Sequence, residues 1–73
     1  MTPAQCRAAR ALINISLTQL ASAAVVPTVM IYDYEAGFGK PKPKDLDAIQ
    51  DALERAGIEF IERGVREKGS TSR

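Results

Sequence analysis

Between Ser16 and Gly37 the chain reads SLTQLASAAVVPTVMIYDYEAG, two helix-length segments with almost nothing to join them. The first opens on a capping box, Ser16 with Gln19 three residues on, and Ile15 and Leu20 stand at the two positions of a hydrophobic staple. Leu20, Ala21 and Ala24 give it an inner face whose small alanines admit a close neighbour, while Leu17, Thr18 and Ser22 point outward. The second segment ends at Gly37, a helix stop. On propensity alone Val25 to Tyr34 fits a strand as well, since β-branched and aromatic residues crowd it. The capping box before it and the glycine after it decide for a helix. Two helices joined by a turn of about four residues cross steeply.

The rest of the chain arranges itself around that pair. Thr2-Pro3-Ala4-Gln5 is a helix start, with Thr2 as cap, Pro3 at the first helical position and Gln5 completing a second capping box. The helix is predicted to run to about Ile13, with Ala8, Ala9, Leu12 and Ile13 on one side and Arg7, Arg10 and Asn14 on the other. For Arg7 a solvated face and a contact role both stay open. After Gly37 the stretch Phe38 to Lys44 is predicted to be an extended loop stiffened by Pro41 and Pro43. Lys40, Lys42 and Lys44 alternate along it and are the densest positive charge in the chain. Asp45 to Ala56 is amphipathic, with Leu46, Ile49, Ala52, Leu53 and Ala56 inside and Asp47, Gln50, Asp51 and Glu54 outside. Gly57 stops it. Ile58 to Ile61 alternates apolar and polar, Glu62-Arg63-Gly64 suits a turn, and Val65 to Glu67 suits a short return strand. Residues 1–67 are thus expected to form one domain, and the polar end, 68–73, a disordered tail.

Composition narrows the chemistry. A chain of 73 residues has room for one small core, which makes a partner subunit a natural expectation. A formal net charge of +1 places any nucleic-acid affinity in local clusters. The single cysteine, Cys6, excludes an internal disulfide, suits a reducing compartment and reads as a small apolar filler, because the sequence holds no histidine to activate it. The same lack of histidine argues against Ser-His or Cys-His catalysis and zinc fingers. The glycines form no phosphate-cradling loop and the carboxylates are scattered, so no enzyme, cofactor or metal is expected. The longest apolar-leaning run, Leu20 to Tyr32, is interrupted by Ser22, Pro27 and Thr28 and falls short of the roughly 20 residues of a membrane span. No charged and then apolar N-terminal signal is visible, so the expected location is cytoplasmic.

Ser16, Leu20-Ala21, Ala24-Val25-Val26-Pro27 and Tyr34-Glu35-Ala36-Gly37 stand in the register of a known family. The chain resembles the Cro/repressor-like (Xre-type) helix-turn-helix regulators, and the resemblance runs to about Ile61. It implies a mostly α fold: a bundle of four to five helices with a short C-terminal β-strand or hairpin. It implies a bacterial DNA-binding transcriptional regulator, a repressor or autoregulator that reads a double-stranded operator in the major groove as a homodimer, associated with the nucleoid when bound. Arg10 and Glu35 are expected to form a structural ion pair tying the first helix to the third. Within the second helix of the motif, Thr28, Tyr32 and Asp33 are the outward candidates for base edges, with Val29 inward beside Val26 and Met30 undecided. Thr18, Lys40, Lys42 and Lys44 are expected against the DNA backbone, and Ile58, Phe60 and Ile61 at the dimer interface.

Three residues depart from the family pattern. Leu17 replaces a glutamine. Val25 replaces a glycine that adopts a left-handed conformation cheaply, which predicts a reshaped turn. Pro27 replaces a capping serine, with Thr28 as a substitute cap. The acidic second helix keeps a rival reading open, in which the motif binds another regulator as an antiactivator or antitoxin-like module.

Overall fold

Two capping boxes start the first two helices of the computed structural model, which describes residues 1–68. Thr2 Oγ1 accepts from the Gln5 amide at 3.1 Å and Gln5 Oε1 accepts from the Thr2 amide at 2.8 Å, opening α1, Pro3–Ile13. Ser16 and Gln19 repeat the exchange at 3.0 and 2.8 Å, opening α2, Leu17–Ala24. Each box satisfies amides that the first helical turn leaves without a partner. Then come α3, Thr28–Glu35, and α4, Pro43–Arg55, followed by β1, Ile58–Ile61, and β2, Gly64–Glu67. The strands pair antiparallel, so the fold is mostly helical with a C-terminal hairpin, and the helices described number four.

The helices pack so that α2 lies against both α3 and α4, α1 reaches α3 and β2, and α4 supports β1. Leu20, Ile31, Ile49, Leu53, Ile58 and Cys6 are the largest side chains sealed in the centre. Each of the aliphatic ones contributes about 1.5–3 kcal/mol by leaving water. Ala9, Ala21, Ala24 and Ala52 complete the buried cluster.

Several inward and outward assignments differ from the sequence expectation. In α1 the inward line is Cys6, Ala9 and Ile13, while Ala8 and Leu12 are exposed. Turning α1 that way brings Arg10, one residue past Ala9, onto the flank that meets α3. Ala56, expected inside, is exposed at the C-cap of α4. The same helix begins two residues earlier than expected, because Pro43 takes the first helical position and its fixed φ suits it. The extended loop is correspondingly shorter, and Lys44 lies in the first turn of α4.

In the hairpin Phe60 faces Val65, both packed on the core, and Glu59 faces Arg66 on the other side with an ion pair of 3.0 Å. A two-stranded ribbon is marginal alone. Here Gln5 Nε2 donates to the carbonyls of Ile61 at 2.9 Å and Gly64 at 3.0 Å, fastening the turn to α1. The Lys68 amide donates to Gly57 O at 2.7 Å and closes the open end. Ile58 corrects one expectation: period-two alternation turns it into the chain's own core, where it is fully buried, so it offers no side chain to a second subunit. Phe60 is half-buried and Ile61 is exposed. The tail expected over 68–73 lies, beyond Lys68, outside the described residues. Among the described residues no helix is long and apolar enough to cross a membrane.

Candidate nucleic-acid interface

Glu35, the last residue of α3, is 6% exposed, and a carboxylate so buried must be paired. Arg10 Nε donates to Oε2 and Nη2 to Oε1, both at 2.7 Å, the two-point geometry that suits guanidinium and carboxylate. Cys6 Sγ also donates to Oε2, at 3.2 Å. Burial pushes the Glu35 carboxyl up, but the hydrogen bonds from Arg10 and Cys6 and the charges of Arg10 and Arg7 outweigh it and hold it below its ordinary value. Burial, and then the hydrogen bond to Glu35, push the Cys6 thiol up to about 12, so it stays protonated and able to donate. Arg10 Nη1 donates in addition to Ile15 O at 3.2 Å, in the link from α1 to α2. One guanidinium therefore fixes the end of α3 and the approach to α2. Arg7 Nη1 donates to the backbone carbonyl of Glu35, a favourable place for a cation at a helix C-terminus. That carbonyl contact is the role the sequence left open for Arg7.

The turn between α2 and α3 is three residues, Val25 to Pro27. Val25 takes the left-handed conformation, φ 58° and ψ 50°, although it is β-branched. The turn is thus not reshaped as its sequence suggests; the valine adopts the glycine geometry. Its amide reaches Ser22 O at 3.3 Å and the Val26 amide reaches Ala21 O at 3.1 Å, satisfying the end of α2. Those bonds outweigh a strain of about 1–2 kcal/mol. At the start of α3 the cap position is Pro27, not Thr28, and no side chain caps the first amides.

From that turn α3 shows a continuous outer face. Thr28, Val29, Tyr32 and Ala36 are exposed, with Val29 at 62% and Tyr32 at 59%. At about 100° per residue they fall within one side of the helix. Val29 corrects the expectation that it faces inward: Ile31, Tyr34 and Glu35 occupy the inner side, and residue 29 lies opposite them. Met30 is half-buried on the flank. Asp33 is half-buried too, in a hollow lined by Met30, Gly39, Lys40 and Pro41. Tyr34 is anchored by donating from its hydroxyl to Met1 O at 2.9 Å. Leu17, expected outward, is half-buried and lines a groove with Arg7, Arg10, Tyr32, Glu35 and Ala36. Thr18, its neighbour in the first turn of α2, is exposed.

Gly37, at φ +87°, reverses the chain after α3, and the Phe38 amide closes the stop on Asp33 O at 2.8 Å. This turn carries Lys40 back alongside α3. Lys42 is the N-cap residue of α4 and Lys44 stands in its first turn. All three lysines are exposed, and none has a carboxylate partner within ion-pair distance among the described residues. The fold therefore sets Thr28, Val29 and Tyr32 on one face, with Lys40 at its edge. The expected dimer residues lie elsewhere, on the hairpin. Two placements at this face are not visible in the sequence, the outward Val29 and the Arg7 contact with the end of α3. The first was hidden because valine reads as core; only the burial of Ile31, Tyr34 and Glu35 on the other side of α3 reveals it. Among the described residues no group of three or more histidine, cysteine or carboxylate side chains could hold a metal ion.

Compared with known protein families, residues 7–60, more than half of the chain, match the family model described as helix-turn-helix. No curated protein matches the chain.

Proposed function

Since the chain belongs to the helix-turn-helix family of Cro/C1 type, a family of DNA-binding regulators, we propose that it is a transcriptional repressor that controls its own operon. The observation that carries this reading is the exposed face of α3 with unpaired lysines at its edge. Thr28 and Tyr32 would meet base edges, and Asp33 would accept from a cytosine amine at the flank. Thr18, Lys40, Lys42 and Lys44 would meet phosphates, which position the protein without reading sequence. The acidic outer side of α4, Asp47 and Asp51, would face away from DNA.

The active species is proposed to be a homodimer on a two-fold operator, in the cytoplasm of a bacterial cell. On the hairpin, Ile61, exposed at 42%, and the outer edge of the half-buried Phe60 would meet the second chain. Such a dimer would space its α3 helices by about 34 Å, one turn of DNA. The competing reading, a module that binds another regulator, draws on one observation: the exposed face of α3 carries no arginine, lysine, asparagine or glutamine.

Fluorescence anisotropy on labelled duplexes from the region upstream of its own gene, with light scattering of the free protein, tests both parts. Binding at least tenfold tighter than to shuffled duplexes, by a dimer, is the expected result. Equal affinity for all duplexes would reject sequence-specific regulation, and a monomer at high micromolar concentration would reject the dimer.

A further inference from the structure

We propose that the outer face of α1 docks on itself: a second copy of this chain lays its own α1 antiparallel across it. The inference rests on the homodimer proposed above and gives that dimer a geometry. Ala4, Ala8, Ala11 and Leu12 are all exposed, Leu12 at 44%. At about 100° per residue they share one side of the helix, opposite Cys6, Ala9 and Ile13. Arg7 and Arg10 are turned toward α3, so a partner over Ala8 approaches from another direction.

A row of alanines alone marks nothing. Two further features of this face identify another α1 as its occupant, and the first is shape. Beside the N-terminal half of α1 lies a hollow of about 410 Å³, lined by Ala4, Gln5, Ala8, Arg63 and Gly64. The hairpin turn forms its far wall, held there by the bonds from Gln5 to the carbonyls of Ile61 and Gly64. Leu12, the large side chain of the exposed face, stands on the C-terminal half. In a two-fold dimer with its axis at Ala8, residues equally spaced about that position face each other, and Leu12 meets the Ala4 end of the other copy. Each leucine then enters the hollow of its partner, and the alanines at the crossing let the helices approach to roughly 8 Å.

The second feature is charge. Arg63 is exposed at the hollow and makes no ion pair among the described residues. The antiparallel arrangement brings it to the C-terminal end of the other α1, where a helix is partially negative. An apolar face with one cation at its end suits such a helix rather than a polyanion. Ile61, exposed at 42%, belongs to the same hairpin turn, which joins this face to the hairpin residues proposed for the dimer.

Cysteine cross-linking of the full-length protein tests the register. Ala8→Cys should form a disulfide-linked dimer under mild oxidation at micromolar concentration, because the two-fold axis brings its sulfurs together. Neither Ala4→Cys nor Leu12→Cys should do so alone, since each lies roughly 12 Å from its own copy along the helices, beyond disulfide reach. Mixed together, those two variants should yield a cross-linked heterodimer. The wild type, with Cys6 fully buried, is the control. Leu12→Lys puts a cation where a helix end tolerates one but brings it against Arg63 of the other copy. It should weaken the dimer at least tenfold by light scattering, with circular dichroism matching the wild type. A dimeric protein that cross-links equally at positions 4, 8 and 12, or not at all through Ala8→Cys, would overturn the inference and leave the homodimer with its interface elsewhere. Wild-type affinity in Leu12→Lys would do the same. A wild-type chain that is monomeric at high micromolar concentration would overturn both.

Discussion

Arg10 grips Glu35 at two points from one helix to another, Nε on Oε2 and Nη2 on Oε1, each at 2.7 Å. The contact joins the first helix to the residue at which α3 stops. Through its third bond, to Ile15 O, the same guanidinium holds the start of the motif. Breaking this grip would loosen the angle at which α3 is presented, without touching a single exposed residue of its outer face.

Removing one partner should therefore be costly. With side chains 21% and 7% exposed, Arg10→Ala leaves a carboxylate in the interior with only Cys6 as donor. The expected loss is about 3 kcal/mol, the lower end of the range for breaking a buried pair. Arg10→Lys should lose nearly as much, because an ammonium cannot make the two-point contact. Urea denaturation measures both, and a midpoint unchanged in Arg10→Ala would show that the pair contributes nothing.

The pair also gives stability a pH dependence of known sign. The folded Glu35 carboxyl lies below its ordinary value of 4.5, so its ionised form favours the fold above the unfolded value. That contribution disappears as pH falls through the lower folded value. Melting temperatures taken from neutral pH down to about pH 3 should fall more steeply for the wild type than for Glu35→Gln below about pH 4.5. Parallel curves would contradict the assignment.

Val25 offers the opposite kind of change. Its side chain is 88% exposed, and its left-handed backbone is one that glycine adopts without steric cost. Val25→Gly should therefore raise stability by about 1 kcal/mol, the relief of strain less the greater freedom of glycine in the unfolded chain. A destabilised variant would mean that the exposed isopropyl group makes contacts worth more than the strain.

Much of this architecture could be read directly from residues. The capping boxes at Thr2 and Ser16, the stops at Gly37 and Gly57, and the alternation from Ile58 to Ile61 each act within a few positions, so local sequence is enough to place them. The Arg10–Glu35 pair is legible only through the family resemblance, since nothing local links residues twenty-five apart. What escaped was rotation about helix axes. Leu12, Val29 and Ala56 are apolar but exposed, because the direction a helix faces is settled by its neighbours and not by its own composition. Val25 misled for another reason: intrinsic preference resisted the left-handed turn, and the hydrogen bonds ending α2 overrode it.

The lysines should act through charge alone. Replacing Lys40, Lys42 or Lys44 by alanine should weaken binding to specific and random duplexes alike. Each should also reduce the slope of log affinity against log salt by about 0.9 for every phosphate no longer neutralised. A triple variant with an unchanged slope would make the loop a connector only.

The face formed by α3 and the lysine loop is the one proposed to meet DNA. The most direct measurement is a titration of the isotopically labelled protein with a selected duplex, following every backbone amide by NMR. Thr18, Thr28, Val29, Tyr32 and the stretch from Lys40 to Lys44 should show the largest shifts, while Asp47 and Asp51 on the outer side of α4 stay still. Binding that moves the α4 surface and leaves the amides of Thr28, Val29 and Tyr32 where they were would contradict it.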